Sequence, residues 1–337
     1  MIPPVAGRQP APNAAPAKVG PNHPNHPNHP NHPTERAMND SLHSNRAASP
    51  DPATPLWTPD PVWSATTRMA AFAVHARRIS GLALDSYADL HAWSIDAPEQ
   101  FWPTIWDFCG VLGKRGERVL VDPDRMPGAR WFPDARLNFA ENLLRDCGNP
   151  EALVFWGEDK VQRSLSRTEL RRQVAQFAAA LKAMGIGPGD RVAAYLPNLP
   201  ETIIAMLAAA SIGAVFTSAS PDFGVQGVLD RFGQTEPKVL IACDGYWYNG
   251  KAVDMRPKLV ELAPQLPSVQ RLILVPYLHA DADALAADLP KGISWTRFVA
   301  PHAAATGIKF VPLTFDHPLY ILYSSGTTGV PKCRSLI

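Results

Sequence analysis

The chain has 337 residues, of which 46% are hydrophobic, and its 32 basic and 31 acidic residues give a formal charge of +1. This balance excludes a strong overall field for nucleic acid or an anionic membrane, and the hydrophobic content is typical of a globular protein. Four scattered cysteines lack the spacing of a zinc site or disulfide framework, and no signal peptide or membrane-length run is present. We expect a soluble, cytoplasmic protein with reduced thiols and no nucleic-acid, membrane or obligate protein partner.

Residues 1–55 are predicted to be a disordered tail rich in Pro, Asn and His. The triplet Asn-His-Pro occurs four times between Asn22 and Pro33. Proline at every third position prevents both helices and strand ladders, and little apolar surface is available to offset ordering. The four histidines would suit a transition metal, but incidental metal affinity of a tail is the favoured interpretation. Met38 is an alternative start of the chain.

Residues 56–145 are predicted to form a mainly helical region. A helix over 66–80 places Met69, Phe72, Ala73 and Ala76 on one face. A second helix runs from Pro98 to Val111, with Pro and Glu in its first turn. It carries an aromatic and aliphatic stripe that suits either ligand stacking or packing, and packing is favoured; its members are Phe101, Trp102, Ile105, Trp106 and Phe108.

Residues 146–337 alternate between strand and helix patterns, which predicts an α/β fold. A capping box at Ser166–Glu169 opens a helix that ends at Gly185. Further helices are predicted at 200–212 and 225–233, and strands at 192–196, 214–218, 238–243, 271–275 and 319–323. Short loops between these elements predict a parallel sheet with helices on both faces. Ligands of such sheets bind beyond the carboxyl ends of the strands.

The last predicted strand runs into a loop rich in hydroxyls and glycines. This loop is Ser324-Ser325-Gly326-Thr327-Thr328-Gly329-Val330-Pro331-Lys332. Glycines allow close backbone approach, successive N–H groups form an anion-binding nest, and a lysine adds a point charge. The spacing differs from that of the Walker loop, GxxxxGK[ST]. The pattern indicates a phosphate-binding loop, and a flexible surface loop is the alternative.

Several longer motifs resemble those of the acetoacetyl-CoA synthetases, a branch of the adenylate-forming acyl-CoA synthetase superfamily. The phosphate loop is similar to that of the superfamily, and the run from Trp131 to Leu144 is similar to the acetyl and acetoacetyl branch. The other motifs are Tyr87–Ser94 with Phe101-Trp102, Tyr195–Glu201, Ser220–Phe232 and Asp244–Lys251. The resemblance covers residues 56 to 333 and implies the N-terminal α/β domain of an adenylate-forming enzyme.

The resemblance implies a ligase that uses ATP, Mg²⁺ and coenzyme A. Acetoacetate would attack the α-phosphate of ATP to give acetoacetyl-AMP and pyrophosphate, and the thiol of coenzyme A would then displace AMP. Ser324, Ser325, Gly326, Thr327, Thr328, Gly329 and Lys332 would bind the β- and γ-phosphates. Their backbone donors and the lysine would counter the charge that develops in the first step.

The resemblance also implies a second, coenzyme A site. Relatives hold the ADP moiety of coenzyme A with a basic Arg-Gly-Gly-Lys-type turn. The matching residues are Tyr248, Asn249, Gly250 and Lys251, so that the lysine is kept while the leading arginine is absent. Small residues of the preceding strand, Thr217 and Ser218, would line the same pocket. The alternative is that Lys251 merely belongs to a solvated turn.

The chain departs from the family pattern after Cys333, where it continues Arg334-Ser335-Leu336-Ile337 in place of an apolar, glycine-bearing stretch leading to a helix. We expect an N-terminal fragment without assignable catalytic or metal-binding residues, and no acetoacetate-dependent pyrophosphate release from the purified chain. Two alternatives remain: a non-catalytic half-domain that binds a nucleotide or partner, and a ligase for acetate or another short acid. The nucleotide sequence beyond the Cys333 codon, read in three frames, would distinguish a fragment from a binding module.

Overall fold

The computed structural model describes Pro55 and residues 57–145, 150–279, 281–324 and 331–336. The described residues from Val62 onwards form one compact unit. The predicted tail over 1–55 therefore lies outside the described residues, except for Pro55. No helix within the described ranges is long and apolar enough to cross a membrane.

The region before residue 145 is mainly helical, as predicted. Its helices are α1 (Pro61–Ala65), α2 (Arg68–Ser80), α3 (Tyr87–Asp96), α4 (Pro98–Cys109) and α5 (Phe139–Leu143). Two-residue strands pair in two small ladders; these strands are β1 (Gly113–Lys114), β2 (Leu120–Val121), β3 (Arg130–Trp131) and β4 (Arg136–Leu137). Both predicted helices are confirmed, and each ends at a glycine in the left-handed conformation, Gly81 or Gly110.

The buried face of α2 differs in part from the prediction. Of the residues predicted to share a face, Phe72 and Ala76 are buried, whereas Met69 is exposed. Phe72 makes the buried contact with α4, where its ring meets that of Phe101 edge to face with centroids 5.7 Å apart. The packing interpretation of the aromatic stripe is confirmed for Phe101 and Trp106, which are both buried.

The described residues after 150 form a seven-stranded sheet and two separate hairpins. The hairpins are β5 (Glu151–Gly157) with β6 (Val161–Ser166), and β10 (Gly245–Tyr248) with β11 (Lys251–Asp254). The sheet contains β7 (Arg191–Tyr195), β8 (Val215–Ala219), β9 (Val239–Cys243), β12 (Arg271–Val275), β13 (Gly292–Ser294), β14 (Tyr320–Ser324) and β15 (Lys332–Leu336). Its order is β13-β12-β9-β7-β8-β14-β15.

The first six strands in this order pair in parallel, which confirms the predicted sheet. Strand β9 has every residue from Val239 to Cys243 fully buried. Successive residues of a strand point to opposite faces, so both faces of the sheet are covered at this strand. The predicted three-layer α/β architecture is thereby confirmed.

Helices α6 (Arg167–Ala183), α7 (Pro200–Ser211), α8 (Val225–Thr235), α9 (Arg256–Leu262), α10 (Ala282–Ala287) and α11 (Trp295–Val299) accompany the sheet. The hydroxyl of Ser166 accepts a hydrogen bond from Glu169 N at 3.1 Å and so caps α6. The Glu169 carboxylate accepts from the side chains of Arg172 and Gln173, so only half of the predicted capping box is formed. Helix α7 is buried around most of its circumference and packs between α5 and α6, which confirms its predicted interior position.

The end of the chain departs from the family-based expectation. Residues Lys332–Leu336 form β15, an antiparallel partner of β14, where a stretch leading into a helix was expected. The alternating sequence Lys332-Cys333-Arg334-Ser335-Leu336 suits a half-exposed strand, since Cys333 is half-buried and its neighbours are exposed. Strand β14, the last of the predicted parallel strands, thus has an antiparallel partner, β15, at the edge of the sheet.

A buried asparagine connects the helical region to the sheet region. Asn138 is 1% exposed, and its side-chain oxygen caps α5 by accepting from Ala140 N at 3.0 Å. Its Nδ2 donates to the carbonyl oxygens of Ala210, Ser211 and Val311 at 3.0, 3.2 and 2.9 Å. One side chain therefore satisfies backbone groups of α5, α7 and the segment that precedes β14.

Candidate functional site

The predicted phosphate loop is described at its two ends. Ser324 is the last residue of β14, Lys332 is the first residue of β15, and their Cα atoms are direct partners in the ladder. Both side chains are exposed. The other predicted phosphate ligands lie outside the described residues; they are Ser325, Gly326, Thr327, Thr328 and Gly329. The described flanks therefore form the stem of the β14–β15 hairpin, and the rest of the predicted loop lies between its two strands in the sequence.

The stem is attached to the sheet through Thr217 of β8. Thr217 is 1% exposed, and its hydroxyl lies 2.9 Å from the carbonyl oxygen of Ile321 and 2.8 Å from the hydroxyl of Tyr323. Burial raises the pKa of Tyr323, while its hydrogen bond with Thr217 acts in the opposite direction. Thr217 therefore holds the residues that lead directly into Ser324.

Helix α8 supports the other side of the stem. Gln234 Nε2 donates to the carbonyl oxygen of Pro331 at 2.9 Å, and Cys333 Sγ lies 3.4 Å from Gln234 Oε1. Strand β14 pairs with β8 at Tyr320 and Ile321 and with β15 at five positions. Beyond Ile321 the hairpin thus turns from the sheet edge towards the last turn of α8.

The loop Ser220–Gly224, which follows β8, is held by buried tyrosines. Tyr246 donates its hydroxyl proton to Asp222 at 2.8 Å, and burial together with this bond raises the pKa of Tyr246. Tyr195 at the end of β7 bonds the carbonyl oxygen of Phe223, and burial raises the pKa of Tyr195 to about 12. The sequence motif contained Asp222, but nothing local indicated this partner.

The predicted coenzyme A turn is the tip of the β10–β11 hairpin. Tyr248 and Lys251 are opposite partners in the ladder, and Asn249 and Gly250 between them have φ values of 50° and 74°. Two consecutive left-handed residues are the geometry of a tight type I′ turn, for which Asn-Gly is the preferred pair. Tyr248 is 65% exposed and Lys251 is exposed as well, so both side chains are open to a ligand.

The two parts of the predicted coenzyme A site lie on different elements. Thr217 and Ser218 belong to β8, and β7 separates that strand from β9, which leads into the hairpin. The contacts of Thr217 are with the phosphate-loop stem. Thr217 therefore contacts the strand that leads to Ser324, whereas Tyr248, Asn249, Gly250 and Lys251 belong to the β10–β11 hairpin.

The base of the hairpin contains a buried carboxylate that the sequence did not reveal. Asp244 is fully buried, and its oxygens accept from the backbone N–H groups of Tyr277, Leu278 and His279 at 2.8–3.0 Å. Its Oδ2 also lies 2.8 Å from Nδ1 of His279. This carboxylate joins the end of β9 to the end of β12, and so fixes the point from which the hairpin leaves the sheet.

A separate apolar cavity of about 470 Å³ lies between the helical region and the segment before β14. Trp102, Ile105 and Trp106 of the aromatic stripe contribute to its wall, together with residues around Phe315. The stripe thus packs on one side and borders this cavity on the other. None of the predicted site residues lines it.

Two protein-family models match this chain. The model of the AMP-binding enzyme family matches residues 139–334, and the acetyl-coenzyme A synthetase N-terminus model matches residues 87–143. Because the first of these covers more than half of the chain, the chain belongs to the AMP-binding enzyme family.

Within that family, several similar proteins share one name. Acetoacetyl-coenzyme A synthetase of Rhizobium meliloti (strain 1021) is 51% identical over 279 residues, which are 83% of this chain and 42% of the relative. A solved acetoacetyl-CoA synthetase from Streptomyces lividans is 42% identical with a TM-score of 0.77, covering 84% of this chain and 43% of that protein. Malonamoyl-CoA synthetase vrtB of Penicillium aethiopicum is 37% identical, over 80% of this chain and 39% of the relative. The chain therefore spans less than half the length of these relatives.

Proposed function

We propose that this chain forms the ATP- and coenzyme A-binding N-terminal part of an acetoacetate–CoA ligase. The observation that carries the proposal is the 51% identity to a protein named acetoacetyl-coenzyme A synthetase over most of the chain. The hairpin that brings Ser324 and Lys332 together at the base of the predicted phosphate loop supports it. We place the reaction in the cytoplasm, and the free thiols of Cys109, Cys243 and Cys333 support a reducing compartment.

In the proposed reaction, the carboxylate of acetoacetate attacks the α-phosphorus of ATP, and pyrophosphate leaves. The chain's part is to hold the β- and γ-phosphates. The Lys332 ammonium would bind the leaving pyrophosphate as a point charge, and hydroxyls and backbone N–H groups from Ser324 to Gly329 would donate to its oxygens. Such donors stabilise the charge that develops on the leaving group.

In the second step the thiol of coenzyme A attacks the acyl carbon of the adenylate, and AMP leaves. We propose that Lys251 and Tyr248 bind the ADP moiety of coenzyme A, with the Asn249–Gly250 turn between them. Thr217 and Ser218 were predicted to line this pocket; we now propose that Thr217 acts at the phosphate-loop stem. Among the described residues there is no group of three or more metal-ligating side chains, and no step here depends on protein ligands for Mg²⁺.

The names of the relatives also define a substrate class. Acetoacetate and malonamate, the acid of a malonamoyl group, share a three-carbon acid with a carbonyl group at the third carbon. They differ in the group attached to that carbonyl, which is a methyl group in acetoacetate and an NH₂ group of similar size in malonamate. We therefore propose a short 3-carbonyl carboxylic acid as the substrate, with acetoacetate favoured over acetate. The binding half-domain remains the alternative if the nucleotide binds without any dependence on such acids.

The proposal is tested by ³¹P NMR of ATP titrated with the purified chain. We expect the β- and γ-phosphorus resonances to broaden more than the α-resonance. Lys332→Met should weaken the interaction about tenfold, because a charge-assisted contact contributes about 1.5–3 kcal/mol. Lys114→Met removes an exposed strand lysine elsewhere and serves as the control. Equal broadening of all three resonances, or equal effects of the two substitutions, would contradict the proposal.

A further inference from the structure

We propose that Glu158 is a positioning residue for the coenzyme A turn, an inference that rests on the proposed function of the β10–β11 hairpin. The carboxylate of Glu158 accepts from Asn249 N at 2.5 Å through Oε1 and from Gly250 N at 2.7 Å through Oε2. These contacts join residues 91 and 92 positions apart in the chain. Each oxygen thus satisfies one of two consecutive N–H groups at the tip of the turn.

The backbone of the turn explains why these N–H groups need a partner. In a two-residue hairpin turn, the N–H groups of the two central residues point away from the ladder. Successive N–H groups of this kind form an anion-binding nest. The Glu158 carboxylate fills this nest, so the phosphates of a ligand must be bound by side chains that the turn presents. Lys251 is the cation that flanks the turn directly.

Glu158 is itself held on a supported element. It lies in the turn between β5 and β6 and has a φ of 52°. The β5–β6 hairpin is fixed to α7 by two parallel hydrogen bonds of 2.8 Å between the guanidinium of Arg163 and the carboxylate of Glu201. The ring of Phe155 also contacts that of Tyr277 edge to face, 6.0 Å between centroids. The support of the coenzyme A turn is therefore anchored to the core at two points.

The register of the β10–β11 hairpin separates its supported face from its open face. Cross-strand partners lie on the same face, so Tyr248 and Lys251 share one face, and Trp247 lies on the other. The Lys160 ammonium, from the same turn as Glu158, is 6.0 Å from the centroid of the Trp247 ring. The β5–β6 turn thus supports the tip and the Trp247 face, and it leaves Tyr248 and Lys251 free for a ligand.

This arrangement predicts how Glu158 would affect binding. Holding the turn in its bound conformation removes an ordering cost from ligand binding. The negative charge itself should matter little, because exposed charges are strongly screened. Removal of Glu158 should therefore weaken coenzyme A binding by releasing Lys251, and the effects of the two residues should not be additive.

The test is calorimetric titration of the purified chain with coenzyme A. We expect Glu158→Ala to weaken binding about fivefold, Lys251→Met about tenfold, and the double variant no more than Lys251→Met alone, since contacting residues in one network are coupled. Asp159→Asn removes a negative charge from the same turn but leaves the two hydrogen bonds to Glu158 in place. This variant should bind coenzyme A as the unchanged chain does. Glu158→Gln keeps an acceptor oxygen and should fall between Glu158→Ala and the unchanged chain.

The outcomes separate this inference from the function on which it rests. Coenzyme A binding that is weakened by Lys251→Met but not by either Glu158 variant, or additive losses near fiftyfold, would overturn the positioning role and leave the site in place. No binding by the unchanged chain would reject the proposed site, and the positioning role with it. Circular dichroism shows whether Glu158→Ala is folded, and Glu158→Gln decides the question if it is not.

Discussion

The parallel strands and the antiparallel hairpins of this protein are stabilised in different ways. Strand β9 is fully buried and paired on both sides along its length, whereas β14 pairs with β8 at two residues and is half-exposed. The elements with candidate ligand contacts are the hairpins β10–β11 and β14–β15, and the parallel strands supply the core. The candidate binding groups thus lie on hairpins whose backbone has few apolar contacts, and these hairpins extend from the buried core.

The largest expected difference between the two regions is in cysteine reactivity. Cys243 on β9 is fully buried, and burial raises the pKa of its thiol to about 12, whereas Cys333 on β15 is half-buried with a smaller rise. Because the thiolate is the reactive form, we expect iodoacetamide at pH 8 to modify Cys333 on the order of a hundredfold faster. Peptide mass spectrometry over time measures both rates. Similar rates would show that β9 opens as readily as the hairpin does.

Truncation of leucines compares the two regions in free energy of unfolding. Leu240→Ala in β9 should lower it by about 2–5 kcal/mol, since it leaves a cavity in a packed core. Leu322→Ala in β14, where the side chain is 48% exposed, should lower it by less than about 1 kcal/mol. Urea unfolding followed by circular dichroism measures both. Equal losses would mean that the hairpin is part of the core.

The ion pair between Arg163 and Glu201 tests how firmly the β5–β6 hairpin is attached. Glu201 is largely buried, with 13% of its side chain exposed, so its unpaired carboxylate would be poorly solvated. Arg163→Met should therefore cost about 1–3 kcal/mol in unfolding free energy. The double variant Arg163→Met with Glu201→Gln should recover part of that loss. A double variant that is less stable than Arg163→Met would contradict the explanation.

The last effect that we predict depends on pH and concerns the start of β7. Burial acts to raise the pKa of Asp190, but the Lys238 ammonium at 2.6 Å and the N–H of Gly187 outweigh it and hold the pKa below its usual 3.8. A lowered pKa in the folded state adds stability above pH 4 that is lost as the pH falls through the folded value. Asp190→Asn should thus cost about 1–2 kcal/mol at pH 7 and less at pH 2. A constant difference between these pH values would contradict this sign.

Most of the parallel sheet could be predicted because its signals are local. Strands β7, β8, β9, β12 and β14 are apolar runs, and each lies within one or two residues of its predicted range. Helix α6 begins directly after its cap Ser166, and α7 begins at Pro200, as predicted. Strands β5, β6, β10, β11, β13 and β15 were not predicted. Strands β10, β11 and β13 are short, β6 and β15 are largely polar, and β5 is an apolar run that the sequence analysis missed.

The local geometry of the candidate site could be predicted in part for the same reason. Lys332 and the Asn249–Gly250 turn have sequence signatures, since phosphate loops and tight turns need particular residues at fixed spacing. Glu158, Asp222 and Asp244 act through partners distant in sequence, and a lone carboxylate carries no local signal. The resemblance also grouped Thr217 with the coenzyme A turn, whereas its hydrogen bonds are with the phosphate-loop stem. Tertiary contacts decided these positions.

The three carbonyl groups bound by Asn138 have a consequence for how the protein unfolds. Because this one amide completes the hydrogen bonding of α5, α7 and the segment before β14, none of these can detach without leaving buried polar groups unpaired. The helical and sheet regions are thereby coupled into a single cooperative unit. Heating should melt both at one temperature, and replacing Asn138 with leucine should split the calorimetric peak in two.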